Sequence, residues 1–315
     1  MRHTVERTIR QPDTALRTRK KTRSLQKGET LAGFLFVGPM LLGVFILVLL
    51  PILATFVLSL ADWNFVAGIH GLKWVGIANF KKLLHDDIFI KSVVNNFLFL
   101  LAVPVYMLIS MVLAIIIDRY VYLKSYFKVA YYMPYISSIV AVAIVFQVLF
   151  QPSYGPINEF LKSIGFKNPP LWIADPNFAL ISVMMITIWT SIGFNMIIYI
   201  AGLQAIPSDL YEAAEIDGAN AWVKFTRITF PLLSSTSFFL MITGIISTFK
   251  VFEVIAILTQ GGPINSTTNM LWDLYNTAFV NLKVGYSSSM AVIMFVFVLL
   301  ITLGQWAAQK KWVNY

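Results

Sequence analysis

Thr187, Thr190, Ser191 and Phe194 fall at i, i+3, i+4 and i+7, so on a helix their side chains share one face. Gly244, Ser247, Thr248 and Val251 repeat that spacing further along the chain, and Lys250, Phe252 and Glu253 close the second group. Hydroxyls supply hydrogen bonds to a polyhydroxylated compound, small residues leave it room, and an aromatic ring covers the C–H face of a sugar. Small and hydroxyl residues also let two helices approach closely, so helix-to-helix packing explains the same stripes equally well. Lys250 and Glu253, three residues apart, either pair with each other or line a polar path. Other chemistries find no residues to carry them. The chain has no cysteine, which removes disulfides, thiolate metal sites and thiol nucleophiles. His3, His70 and His85 lack the spacing of metal ligands. No Gly-x-x-x-x-Gly-Lys-Ser/Thr phosphate loop and no Gly-x-Ser-x-Gly elbow occurs, so the sequence predicts a non-catalytic chain that binds no cofactor itself.

The elements that position these stripes are set by their solvent. Of 315 residues, 58% are hydrophobic and only 12% are charged, about half the charged share of a soluble domain. The apolar residues form runs of about 20 residues or more, enough to cross a hydrocarbon layer as helix. Candidate spans are Phe34 to Leu60, Asn96 to Ile117, Val129 to Phe150, Phe178 to Leu203, Leu232 to Leu258 and Tyr286 to Ala307. These runs are apolar on every side, whereas strands of a membrane barrel alternate. The expected fold is all-α, a polytopic membrane protein with about six transmembrane helices.

Basic residues orient the spans. Residues 1–33, 118–128, 204–231 and 308–315 hold sixteen Lys or Arg, and the opposite loops hold seven. Cytoplasmic loops carry such an excess, which places both termini in the cytoplasm. The first span is too long for a cleavable signal and is expected to stay attached. Residues 1–30 then read as a basic arm beside anionic lipid, with no nucleic-acid role, and residues 31–315 as the transmembrane domain.

Between the fourth and fifth spans, residues 204–231 form a long loop that is acidic on the basic side of the membrane. Asp209, Glu212, Glu215 and Asp217 stand against Lys224 and Arg227. Pro207 and Ser208 start a helix with Ser208 as expected N-cap, and Gly218 stops it in a left-handed conformation. Asn220 caps a second helix, Ala221 to Ile228, and Pro231 opens the fifth span. The charge sign suits no anionic lipid surface, so the loop is either a solvated face or a helix pair that docks on another protein.

Glu212-Ala213-Ala214, then Gly218, Ile228 and Pro231 at their separations, resemble the EAA loop of permease subunits from binding-protein-dependent ABC importers. The family usually has Leu before the proline, where this chain has Phe230. Gly76 to Phe80, Met133 to Val148, Gly155 to Asn158, Leu203 to Asp209 and Leu258 to Pro263 extend the resemblance to the sugar-type permeases of the maltose and glycerol-phosphate systems. The resemblance implies a heterodimer with a second homologous permease, two ATPase subunits that carry ATP and Mg, and an extracytoplasmic solute-binding protein that delivers a carbohydrate. It makes Glu212, Ala213, Ala214, Asp217, Gly218, Ile228 and Pro231 the ATPase-coupling residues. It also favours a substrate path along Thr187, Thr190, Ser191 and Phe194, which the small, hydroxyl and aromatic residues of the second group would extend to Gly244, Thr248, Lys250, Val251 and Phe252. A secondary transporter of a small polar solute is the rival reading, and it leaves the acidic loop without a role.

Overall fold

The computed structural model describes residues 32–312, so the basic arm over residues 1–30 lies outside them. The chain divides into a unit ending at Thr55 and a larger unit from Phe56. The first unit holds most of helix α1, Ala32–Leu58, the first membrane span. Its Phe45–Leu49 segment is π-helical, with Leu50 N donating to Phe45 O. Pro51 explains the widening: it has no N–H to continue the ladder and its ring crowds the carbonyl one turn back, which a wider turn relieves.

The larger unit opens with a two-stranded antiparallel ribbon, β1 Ala61–Asp62 and β2 Lys73–Trp74, paired Ala61 to Trp74 and Asp62 to Lys73. Helix α2, Ala78–Leu83, leads to the second span, which runs from Asp87 to Tyr120 as α3, Asp87–Phe99, and α4, Ala102–Tyr120. It begins earlier than the expected Asn96. Asp86 caps it by accepting from Ile88 N and Phe89 N, and the polar Ser92, Asn95 and Asn96 in its first half are buried.

The third span differs most from the straight helix expected over Val129 to Phe150. Helices α5, Lys124–Ile136, and α6, Ile139–Leu149, meet at 91°. Pro134 removes a ladder donor near the end of α5, and Ser137 and Ser138 then turn extended, with ψ of 151° and 119°. Helix α7, Pro156–Ser163, follows, and α8, Pro176–Gln204, is an unbroken span of 29 residues. After a hairpin of short helices α9, Ser208–Ile216, and α10, Ala221–Lys224, the fifth span is split into α11, Ser234–Thr248, and α12, Glu253–Leu258. Helix α13, Met270–Tyr275, and the last span α14, Val284–Trp312, complete the order. Among the described residues five helices can cross a membrane, or six if the bent α5–α6 pair counts as one. The fold is all-α apart from the ribbon.

Helix α8 is the hub. Leu180, Val183 and Ile186 from its first half pack with Val142 and Ala143 of α6 and with Val254, Ile255 and Leu258 of α12. Met196, Tyr199, Ile200 and Leu203 from its second half pack with Met111, Ala114 and Ile117 of α4. One rigid helix therefore joins the two ends of the larger unit.

The loop after α12 is held by polar side chains rather than by a ladder. Asn95 Nδ2 donates to Thr268 O at 2.8 Å, Asn96 Oδ1 accepts from Met270 N at 2.8 Å, and Thr268 Oγ1 donates to Gly261 O at 3.1 Å. Asp273 lies beneath this loop, 8% exposed, with Oδ2 lacking a hydrogen-bond partner. Burial, and then the nearby Asp86 carboxylate, push its carboxyl up to about 6 from the ordinary 3.8. A carboxyl raised in this way weakens the fold when ionised, so the penalty is full above that value and fades as pH falls towards 3.8. Thermal unfolding of the purified protein is expected to show a higher midpoint at about pH 5 than at about pH 7.5. Asp273→Asn should remove most of that difference by stabilising the neutral-pH protein by up to about 3 kcal/mol. Equal midpoints in the wild type at both pH values would refute the assignment.

Candidate functional site

The acidic hairpin is built by local chemistry. Helix α9 ends at Ile216 with Asp217 as its C-cap, and Gly218 takes φ of +72°, a conformation that costs glycine little. The chain then closes back on the helix, with Ala219 N donating to Ala214 O at 2.8 Å and Gly218 N to Glu215 O at 3.0 Å. Asn220 caps α10 as expected, its Oδ1 accepting from Val223 N at 2.9 Å. Ser208 does not cap: it is the first helical residue, Pro207 holds the cap position, and no side-chain cap bond forms. The second helix is also shorter than Ala221 to Ile228. It becomes a π segment over Phe225–Thr229 just ahead of Pro231, as α1 does ahead of Pro51. Pro231 lies inside the short helix Phe230–Leu232, and the fifth span proper starts at Ser234.

Lys224 Nζ and Glu215 Oε1, 2.7 Å apart, tie the two short helices together. The Lys224 ammonium holds the Glu215 carboxyl below the ordinary carboxylate value. Tyr211 fastens the hairpin to the spans, its hydroxyl 2.9 Å from Thr229 Oγ1 and its ring 4.3 Å beneath the Arg119 guanidinium at the end of α4. Gln204 Nε2 donates to Asp118 Oδ1 at 3.2 Å beside it. Outward, Glu212, Ala213 and Asp217 are exposed, Ala214, Ile228 and Pro231 are half-buried, and Ile216 and Trp222 stand 88% and 70% exposed. Two large apolar side chains on an acidic hairpin form a knob suited to a protein partner.

The stripe on α8 comes together as expected. Thr187 Oγ1 donates to Val183 O and Thr190 Oγ1 to Ile186 O, so both hydroxyls are satisfied by their own helix while half-buried. Ser191 and Phe194 are half-buried on the same face. The Phe194 ring stacks on Tyr135 of α5 at 4.9 Å between centroids, and Tyr135 meets Tyr132 at 5.5 Å. A cavity of about 410 Å³ lies between α5 and α8, lined by Tyr126, Phe127, Tyr131, Pro134, Trp189 and Ile192, the last two on the side of α8 away from the stripe. Tyr131, Tyr135 and Trp189 were not among the sequence candidates. The run Tyr131-Tyr132-x-Pro134-Tyr135 was the signal available for them.

The fifth-span group does not form one open face. Gly244 is buried against Tyr106 and Val103, where a Cβ would overlap the Tyr106 hydroxyl, and Thr248 is 2% exposed with its hydroxyl donating to Ile245 O. Those two positions serve packing within the chain. Lys250 is exposed at the break between α11 and α12, and no ion pair joins it to Glu253. Val251 and Phe252 are half-buried, with the Val251 carbonyl accepting from Asn269 Nδ2 and the Phe252 ring 4.9 Å from Tyr275. The fifth span therefore offers Lys250, Val251 and Phe252 at its broken end.

Residues 97–312 match the model of the binding-protein-dependent transport system inner membrane component. A probable ABC transporter permease protein of Bacillus subtilis (strain 168) is 33% identical over 94% of this chain and 96% of its own length. The lactose transport system permease protein of Rhizobium radiobacter is 31% identical over 91% of this chain and 97% of its own. Among solved structures, a chain of a bacterial ABC transporter involved in the import of the acidic polysaccharide alginate superposes with a TM-score of 0.80. That alignment has 22% identity and covers 94% of this chain and 100% of that one.

Proposed function

Because this chain belongs to the binding-protein-dependent transport system inner membrane components, we propose that its α8 face, with Phe194 and the Tyr135 ring stacked on it, forms one half of an import path for an oligosaccharide. The observation that carries the substrate class is the Phe194–Tyr135 stack, with Thr187, Thr190 and Ser191 on the same helix face as Phe194. Aromatic faces and hydroxyls together suit sugar rings better than ions or peptides. The names of relatives point the same way: lactose for the Rhizobium radiobacter protein, and probable starch degradation products for a permease of Thermoanaerobacterium thermosulfurigenes. In this reading a second homologous permease supplies the other half of the path, and an extracytoplasmic solute-binding protein delivers the substrate. Two ATPase subunits bind ATP and Mg and dock on the hairpin 208–224, while this chain hydrolyses nothing. The hairpin and both termini face the cytoplasm. Membership of this family also sets aside the secondary-transporter reading.

The test is transport by the whole assembly. Reconstituted in proteoliposomes with its binding protein outside and ATP inside, the assembly is expected to accumulate radiolabelled oligosaccharide and to leave amino acids and inorganic ions behind. Accumulation without ATP, or of an amino acid in place of sugar, would overturn the proposal.

A further inference from the structure

A second cavity, of about 510 Å³, lies away from the aromatic one, between α3 with the following Leu101 and the first turns of α8. Its two ends differ in chemistry. Lys91, Asn95, Asn177 and Ser266 stand at one end, while Leu98, Ile181 and other aliphatic side chains continue it along the helices. Leu98 and Ile181 are 43% and 52% exposed, so the apolar part opens sideways at membrane depth. Because α8 starts at this cavity and ends at the hairpin, the groove belongs to the membrane face opposite the hairpin.

We propose that this groove holds a phospholipid, with an acyl chain along Leu98 and Ile181 and the phosphate facing Lys91. A sugar would lose hydrogen bonds to water against an aliphatic wall, whereas an acyl chain loses none. The polar end has the matching charge. Lys91 is half-buried, and its ammonium already reaches Ile264 O at 2.6 Å, which fixes it at the mouth. The carboxylate of Asp87 lies one turn before Lys91 on α3, and Asp175 caps α8 beside Asn177. A headgroup with both a phosphate and an amine complements two carboxylates and one ammonium better than a headgroup carrying only negative charge.

The full chain, with the subunits that copurify, is placed in nanodiscs containing equal phosphatidylethanolamine and phosphatidylglycerol and then examined by native mass spectrometry. One phosphatidylethanolamine per copy is expected to survive activation that strips the remaining lipid. Lys91→Glu, which repels the phosphate, and Ile181→Trp, which fills the groove, should each lower retained lipid about tenfold, and Val112→Trp on an exposed face of α4 should not. A photoreactive residue at Leu98 in the otherwise unaltered chain decides independently of how those variants assemble. A lipid adduct supports the proposal. Crosslinking to the second permease, lipid retention unchanged by both groove variants, or preferential retention of phosphatidylglycerol overturns it. None of these results depends on which solute is carried.

Discussion

Glu212→Lys is expected to abolish import while leaving the protein in the membrane. Glu212 is exposed on α9 between Tyr211, which is anchored to Arg119 and Thr229, and the alanines that resemble the family's docking loop. A charge reversal that merely removed a solvated surface contact would cost about 0 to 1 kcal/mol. At a partly desolvated protein interface the cost rises to about 2 to 5 kcal/mol, a loss of affinity well beyond tenfold. Gly218→Val reaches the same outcome by another route. A β-branched residue resists φ of +72°, so the turn that closes Ala219 onto Ala214 opens and α10 is re-aimed. Both variants are expected to insert and pair with the second permease, yet to copurify little ATPase or to hydrolyse ATP without transport. Normal ATPase copurification and normal import in both would remove the hairpin from the coupling mechanism.

Ser191→Trp should stop import with the assembly intact, because an indole on the half-buried α8 face that carries Phe194 would obstruct the proposed path. Phe194→Ala and Tyr135→Ala test the aromatic contribution separately. Each removes one stacking surface worth about 1 kcal/mol, so the half-saturating concentration of delivered substrate should rise several-fold, and the double variant should add little to the larger single effect. Import is measured in proteoliposomes beside stimulated ATPase activity, which separates a blocked path from a failed assembly. Wild-type import by Ser191→Trp would make the stripe a packing surface.

What the sequence revealed follows the range of the interactions concerned. The first, fourth and sixth spans are long apolar runs and were legible as such. Gly218 and Asn220 were legible because a left-handed stop and an Asx cap are made within a few residues. The apolar run understates the second span, since Lys91 and Asn95 look like loop residues until Ile264 and Thr268, far along the chain, satisfy them. The bend in the third span was marked by Pro134, Ser137 and Ser138, but an apolar run alone does not record direction. The Phe194–Tyr135 and Arg119–Tyr211 contacts join separate helices, and helical spacing within one segment carries no trace of them. Gly244 and Thr248 fitted the stripe by spacing, and only the position of α4 shows that Tyr106 occupies the room beside Gly244.

The π segment at Phe225–Thr229 sets the azimuth of the hairpin. A π turn holds one residue more than an α turn, and each helical residue accounts for about 100° of rotation. Trp222, 70% exposed, therefore points about 100° around the axis from where an uninterrupted helix running back from Pro231 would aim it. The direction in which the knob faces thus depends on the residue count between Trp222 and Pro231. A shift of one residue in the length of this segment would re-index every contact on the far side.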